Sequence, residues 1–226
     1  MQVKLISYTK PVETADYNVE NVQDLVAYCA RVSNPSNQNN KQTNEKLIKY
    51  LIKHQHLSPL EMVNACLEIN TTRDIAHQIV RHRSFAFQEF SQRYADVNEL
   101  GDMFTHREAR MQDKKNRQNS VDLDPTNKED LRLAMVWASH QNKVIQEAKE
   151  AYKWAIENGI AKEQARVVLP EGLTKTRLYM NGTLRSWVHY IELRGGHGTQ
   201  KEHMEIAWAC AKVIAEIFPL VDELKN

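Results

Sequence analysis

The segment RHRSFAFQEFSQRY, from Arg81 to Tyr94, mixes three arginines, a histidine and a glutamate with four aromatic rings. Guanidinium groups favour phosphate because each offers a rigid fork of N–H donors, and a carboxylate among them suits a ligand that also carries donors. If the chain is extended after Ser84, then Glu89, Ser91 and Arg93 project to one side of it. The segment therefore predicts a site for a nucleotide-like anion.

The residues before this segment offer a simpler explanation for part of the charge. They predict a helix over 72–83, with Ile79 and Val80 on its apolar stripe. Arg81 and His82 would lie in its last turn, where cations suit the helix dipole without any ligand. One arginine there is more often a helix-terminal cation, but several cations in so short a segment favour binding.

A second cationic region lies late in the chain. Arg185 and His189 share a predicted helix face, Arg194 precedes a glycine pair, and Arg166 stands in ARVVLP. Each of these residues alone is more often a solvated charge than a ligand contact. Their grouping near glycine turns favours a second anion-binding region.

Several kinds of site are disfavoured by the motifs that are missing. No GxGxxG and no GxxxxGK[ST] occurs, so side chains would have to hold any phosphate. The histidines lack the usual metal-ligand spacing, and no metal is expected. No GxSxG surrounds a serine, so Ser91 is expected to bind ligand rather than to act as a nucleophile. An RNA- or single-strand-binding module and a metal-dependent nucleotide hydrolase remain open as alternatives.

Composition bounds the class of protein. The 226 residues, 42% hydrophobic and 26% charged, are typical of one globular domain spanning 1–226. A net charge of +1 argues against general nucleic-acid binding. No apolar run approaches the ~18 residues of a membrane span, and no signal peptide is recognised. A cytoplasmic protein with reduced cysteines is therefore expected, because no CxxC pair occurs.

Hydrophobic periodicity predicts an α+β fold, a single domain with a small, mostly antiparallel sheet flanked by several helices. The predicted strands are 2–8, 62–71 and 174–182, and the predicted helices are 21–31, 45–54, 72–83, 128–157, 161–169, 183–194 and 200–217. Residues 111–128 are nearly devoid of large apolar groups, which predicts an exposed, flexible loop.

The motifs together resemble those of the flavin-dependent thymidylate synthases. The central match is Arg-His-Arg, seven residues, then Ser in RHRSFAFQEFSQRY. Four further motifs agree in the same order: ARVSNPS (30–36), HLSPLE (56–61), ARVVLP (165–170) and TLRSWVHYIELR (183–194). The resemblance covers nearly the whole chain except the polar insert near 111–128.

This resemblance implies an enzyme that makes thymidylate (dTMP) from deoxyuridylate (dUMP). It implies that 5,10-methylenetetrahydrofolate supplies the carbon and that FAD, reduced by NADPH, supplies the hydride. It also implies a homotetramer whose active sites form between subunits, and it implies no partnership with nucleic acid or membrane.

The resemblance further divides the site residues between two ligands. The residues expected to contact FAD are Ser33, His56, Ser58, Glu61, Arg81, His82, Arg83, Ser84, Glu89, Thr183, Leu184, Arg185 and His189. The residues expected to contact dUMP are Gln78, Arg81, Glu89, Phe90, Ser91, Gln92, Arg93, Arg166 and Arg194. Arg194 is expected to be catalytic, because a guanidinium beside uracil would stabilise negative charge developing on the ring. No protein nucleophile is then needed.

Three positions depart from the family pattern. Met62 stands where the family often has histidine, and Gln88 where asparagine is common before the glutamate. Thr183 occupies a position often held by asparagine. The central signature is intact, so activity is expected.

Overall fold

The computed structural model describes residues 2–13 and 17–219. The strands are β1 (Gln2–Tyr8), β2 (Asn64–Thr72), β3 (Ala86–Glu89), β4 (Arg110–Gln112), β5 (Ser120–Asp122) and β6 (Lys175–Thr183). The helices are α1 (Val22–Ala30), α2 (Asn44–Lys53), α3 (Arg73–Ile79), α4 (Lys128–Glu157), α5 (Lys162–Ala165), α6 (Leu184–Gly195) and α7 (Lys201–Ala215).

The central sheet has four strands in the order β1-β2-β6-β3, and each neighbouring pair is antiparallel. One face is apolar because alternate residues of the two central strands, such as Leu67 and Leu178, are fully buried. Helices α3, α6 and α7 contribute to the same core, for example through Ile75, Trp187 and Ile206. The α+β prediction, with an antiparallel sheet flanked by helices, is confirmed.

Two helices follow directly from central strands. Thr72 precedes α3 and Thr183 precedes α6, where the Thr183 hydroxyl accepts from the Ser186 N–H at 3.2 Å. Because β2 and β6 are antiparallel, with Asn64 opposite Thr183, these two helices start at opposite ends of the sheet. Their C-terminal ends converge over it, which positions the site described below.

A second, smaller apolar cluster lies beside the start of β6, where the Lys175 N–H donates to the Met103 carbonyl at 2.9 Å. It is formed by the C-terminal half of α4, the 97–104 segment and the residues around α5. Its largest members are Phe104, Ile145, Tyr152 and Leu169. That residues 1–226 form a single domain stays a prediction.

The strand β1 and the helix α4 have the predicted bounds, but other elements differ. Helix α3 ends at Ile79 instead of residue 83, and Val80 is 37% exposed rather than part of the stripe. The helix stops where its buried apolar residues stop. The next buried apolar side chain, Phe85, packs over Gly182, where a Cβ would collide with its ring.

The extended segment is also shorter than predicted. Strand β3 ends at Glu89, and the chain then turns, with Ala95 N–H donating to the Ser91 carbonyl at 3.0 Å. The prediction that Glu89, Ser91 and Arg93 form one extended face is therefore wrong. Strand β6 ends one residue beyond its predicted bound of 182, at Thr183, and continues directly into α6.

The polar segment 111–128 is not an open loop along its whole length, because β4 and β5 form a hairpin in it. Strands β4 and β5 pair with Met111 opposite Val121. The Asp113 side chain accepts from the backbone N–H groups of Lys115 and Asn116, so local turn chemistry builds this hairpin without an apolar pattern. The flexibility of this segment stays a prediction.

No helix among the described residues is long and apolar enough to span a membrane.

Candidate active site

The converging ends of α3 and α6 bring His82 to Arg194. The Arg194 Nε–H donates to His82 Nε2 at 2.9 Å, although the two residues are 112 positions apart. The His82 ring also packs edge-on against Tyr190, with centroids 4.9 Å apart. Two residues expected from the sequence at the flavin and at the uracil ring are thus joined within one chain.

The protonation of His82 follows from this contact. Burial, followed by the charges of Arg194, His189 and Arg81, lowers the pKa of His82 to about 4. The ring is therefore neutral near pH 7, and it accepts at Nε2 because its proton lies on Nδ1. Arg194 is held by a neutral partner that leaves its charge uncompensated.

Gln78 lies beside these residues and is held from two sides. Its Nε2 donates to Gln200 Oε1 at 2.8 Å, and its Oε1 lies 3.2 Å from Nδ1 of His203. The other nitrogen of His203 lies 3.1 Å from the Tyr190 hydroxyl, and His203 is fully buried. We call the five residues Gln78, His82, Tyr190, Arg194 and His203 the helix-end cluster.

Sequence reasoning missed Tyr190, Gln200 and His203. A signal for His203 was available, because it falls on the apolar stripe of α7 with Ile206 and Cys210. A histidine among buried residues needs polar partners, but the sequence does not say which ones.

A second group of expected nucleotide contacts lies in the turn after β3 and, for Arg166, directly after α5. We call Ser91, Gln92, Arg93 and Arg166 the arginine turn. Arg93 pairs with Glu163 of α5 at 3.4 Å, which ties this turn to the helix just before Arg166. Gln92 is buried, and its Nε2 has no hydrogen-bond partner in the described part of the chain. Such a buried donor is available to a ligand oxygen.

Glu89 and Phe90 lead into the arginine turn. The Glu89 carboxylate accepts from Thr176 Oγ1 at 2.9 Å and pairs with Arg73 at 3.3 Å, so it is fixed at the edge of the sheet. Phe90 packs partly buried against the smaller apolar cluster. Within residues 2–13 and 17–219, no hydrogen bond or ion pair joins the arginine turn to the helix-end cluster.

Several of the expected flavin contacts gather at the start of α6. Arg185 pairs with Glu61 at 2.8 Å, and the Leu184 N–H donates to the Val63 carbonyl at 2.8 Å. The Ser186 hydroxyl lies 3.3 Å from the Ser84 carbonyl. Further expected contacts that are exposed are Ser58, Arg81, Arg83 and His189.

Ser33 and His56 both lie near Tyr50. Ser33 and Tyr50 line one surface cavity of about 450 Å³, and the His56 ring is 6.3 Å from the Tyr50 ring.

Of the three departures from the family pattern, Met62 is 53% exposed, Gln88 is exposed at β3 and Thr183 caps α6.

Neither a metal centre nor an activated thiol is evident in the described residues. No group of three His, Cys, Asp or Glu side chains there could hold a metal ion. Burial raises the pKa of Cys29, Cys66 and Cys210, which disfavours the thiolate form that a nucleophile requires.

The chain matches a known protein family. The model of the family described as thymidylate synthase complementing protein matches residues 12–220. The chain belongs to this family. The resemblance that the motifs indicated is therefore confirmed.

Two relatives match nearly the whole chain. A probable flavin-dependent thymidylate synthase of Paramecium bursaria Chlorella virus 1 is 48% identical over 221 residues, covering 98% of this chain and 97% of the relative. A flavin-dependent thymidylate synthase of Synechocystis sp. is 47% identical over 222 residues, with 98% and 97% covered.

The fold also matches a solved structure. The UMP/dUMP methylase PolB from Streptomyces cacaoi, bound with 5-Br dUMP, superposes with a TM-score of 0.78. The match covers 99% of this chain and 93% of that one at 24% sequence identity, which establishes the likeness of fold.

Proposed function

We propose that this chain is a flavin-dependent thymidylate synthase that methylates dUMP to dTMP. The observation that carries the proposal is the contact between Arg194 and neutral His82, at 2.9 Å, in a chain with full-length relatives named for this activity. Neither a nucleic-acid-binding module nor a metal-dependent hydrolase is supported by these relatives.

Arg194 has the properties that activation of uracil requires. Carbon 5 of uracil becomes nucleophilic as negative charge develops on the ring, and a fixed guanidinium beside that ring stabilises the charge. A carboxylate partner would compete for Arg194, whereas neutral His82 orients the guanidinium without cancelling its charge. No protein nucleophile is needed, in keeping with the raised pKa of the three cysteine thiols.

The arginine turn is proposed to hold the phosphate and sugar of dUMP. The Ser91 hydroxyl, the buried Gln92 amide and the guanidiniums of Arg93 and Arg166 supply donors of the kind that a phosphate accepts. Glu89 and Phe90 complete this side, with the carboxylate held in place by Thr176.

The residues expected to hold FAD fit such a ligand. Its pyrophosphate needs donors, and the exposed Arg81, Arg83, Arg185 and His189 offer them where no glycine-rich loop exists. Ser33, His56, Ser58, Glu61, Ser84, Thr183 and Leu184 are proposed to complete the site. When bound, FAD supplies the hydride; NADPH is proposed to reduce it, and 5,10-methylenetetrahydrofolate to supply the carbon.

A homotetramer with shared active sites is part of the proposal. The segment 128–140 of α4 buries no side chain, and its exposed apolar residues include Met135 at 74% and Trp137 at 44%. A helix with so much exposed apolar surface is typical of a subunit interface. An assembly could also place the arginine turn of one chain against the helix-end cluster of another.

The test is a reconstitution with FAD. Purified protein is expected to take up FAD and turn yellow, and NADPH is expected to bleach the flavin absorbance. Tritium release from [5-³H]dUMP should then require FAD, NADPH and 5,10-methylenetetrahydrofolate together, with each omission as a control. A protein that takes up no FAD, or releases tritium without it, would contradict the proposal. The cytoplasmic location stays a prediction.

A further inference from the structure

A chain of polar side chains runs through the helix-end cluster to α7. Glu202 accepts from Gln200 Nε2 at 2.9 Å, and Gln200 Oε1 accepts from Gln78 Nε2 at 2.8 Å. Gln78 Oε1 then meets His203 Nδ1 at 3.2 Å, and His203 Nε2 meets the Tyr190 hydroxyl at 3.1 Å. The three middle residues, Gln200, Gln78 and His203, can each both donate and accept. The two end residues therefore decide which atom donates in each hydrogen bond of the series.

The Glu202 end can only accept. Burial acts to raise the pKa of this carboxyl, but hydrogen bonds from its own N–H and from Gln200, with the charges of Arg107 and Arg110, outweigh burial and lower it. Arg110 Nη2 lies 2.6 Å from the carboxylate and Arg107 Nη1 lies 3.3 Å from it. An ionised carboxylate is an acceptor only, so Gln200 must turn its amide nitrogen toward Glu202 and its oxygen toward Gln78.

The Tyr190 end can donate. Burial raises the pKa of Tyr190 well above its ordinary value, so the hydroxyl keeps its proton. Burial, followed by the charges of Arg194 and His82, lowers the pKa of His203 to about 3, so its ring is neutral. With Gln78 Oε1 facing His203 Nδ1, the His203 proton must lie on Nδ1, and Nε2 accepts from Tyr190.

The geometry points to His203 as a positioning residue that locks the Gln78 carboxamide in one orientation and thereby favours uracil over cytosine. A free glutamine amide rotates by half a turn and exchanges its donor for its acceptor. Held by Gln200 and His203, Gln78 keeps one N–H and one oxygen lone pair in fixed places for the nucleotide.

This inference rests on the proposed function and on the family resemblance, which implies that Gln78 contacts dUMP. Gln78 belongs to the same helix-end cluster as Arg194. A fixed donor and acceptor match the adjacent carbonyl and N–H of uracil. Cytosine presents the reverse pattern, an amino group beside an unprotonated ring nitrogen, and would require the rotated amide. Discrimination is strong where a buried polar group would be left unpaired by the wrong ligand.

The first test is the tautomer of His203 in the ligand-free protein, read from ¹⁵N chemical shifts of its ring. The Nδ1–H form is expected, and the Nε2–H form or a rapidly exchanging mixture would overturn the inference. This measurement needs no turnover, so it decides the orientation even if the proposed function proves wrong.

The second test compares two substitutions of His203. Asparagine places an N–H near the position of Nδ1 and can still donate to Gln78, whereas leucine cannot. His203→Leu is expected to raise the KM for dUMP about tenfold, the upper end for one hydrogen bond, with a smaller change in kcat. It should also lower the ratio of the inhibition constant of dCMP to the KM for dUMP, and His203→Asn should restore both.

Equal losses in the leucine and asparagine variants would indicate a merely structural role and overturn the inference. An unchanged dUMP-to-dCMP preference in His203→Leu would overturn it as well. If that variant does not fold, Gln200→Leu removes the opposite support of Gln78 at an exposed position and should give the same loss of preference.

Discussion

The helix-end cluster and the arginine turn differ in how completely one chain builds them. In the cluster, hydrogen bonds within the chain hold Arg194, His82 and Gln78. In the turn, the Gln92 amide nitrogen is buried without a partner in the described residues, and the Arg93 side chain is 52% exposed. One half of the proposed site is therefore preorganised, and the other presents donors that a ligand or a second chain must satisfy.

The difference has a cause in the fold. The helix-end cluster lies where the C-terminal ends of α3 and α6 meet over the sheet. The register of β2 with β6 sets where each of these helices begins. The turn lies beyond the end of β3, and its side-chain ties to α5 are the exposed ion pair of Arg93 with Glu163 and a hydrogen bond from Lys162 Nζ to the Tyr94 carbonyl at 3.1 Å. Such surface pairs stabilise by only about 0–1 kcal/mol. We therefore expect the helix-end cluster to hold the catalytic residues in place before the ligand binds. We expect the arginine turn to change conformation when its ligand binds.

The largest expected effect follows from removing Arg194. Arg194→Ala should lower kcat by about 10²–10³, the loss typical of one charge-stabilising donor, while FAD remains bound. Arg194→Lys keeps the charge but loses the planar fork, so it should fall between the alanine variant and the unaltered protein. The tritium-release rate and the flavin absorbance measure the two properties. Unchanged turnover in Arg194→Ala would refute the assigned role.

The next prediction tests whether a second chain completes the arginine turn. Trp137→Glu places a charge on the exposed apolar part of α4, and the loss of an interface tryptophan typically costs about 2 kcal/mol or more. Light scattering should show dissociation of the proposed tetramer, and activity should fall with the dissociated fraction. Ser139→Glu puts the same charge at a polar, exposed position of the same helix and is the matched control. A dissociated variant with full activity would show that one chain suffices.

These regions also show how far sequence reasoning reaches. The bounds of β1 and α4 were predictable because their local patterns and capping residues are clear. The turn after Glu89 was not, because period-two alternation cannot tell a continuing strand from a chain that bends away. The contact of His82 with Arg194 joins positions 112 apart. Spacing along the chain cannot predict such a contact, and only the family resemblance placed both residues at one site.

A smaller effect is expected in the arginine turn. Ser91→Ala removes one donor to the proposed phosphate site, so the KM for dUMP should rise about three- to tenfold while turnover persists. Isothermal titration with dUMP and steady-state kinetics measure this change. Loss of all turnover with normal dUMP binding would instead indicate that Ser91 is a nucleophile. The arginine turn would then take part in catalysis.

The last expected effect is on stability rather than on activity, and it separates the two regions at acid pH. The ordinary pKa of histidine is about 6.5, whereas burial lowers the pKa of His82 to about 4 and that of His203 to about 3. The unfolded state therefore binds more protons as the pH falls below 6.5, so the free energy of unfolding decreases from there toward acid. Urea unfolding at pH 7 and pH 5 measures the decrease before most carboxylates titrate. His203→Asn should reduce the difference between the two pH values, whereas Ser91→Ala should leave it unchanged. An equal decrease in all three proteins would mean that the helix-end cluster does not hold His203 neutral.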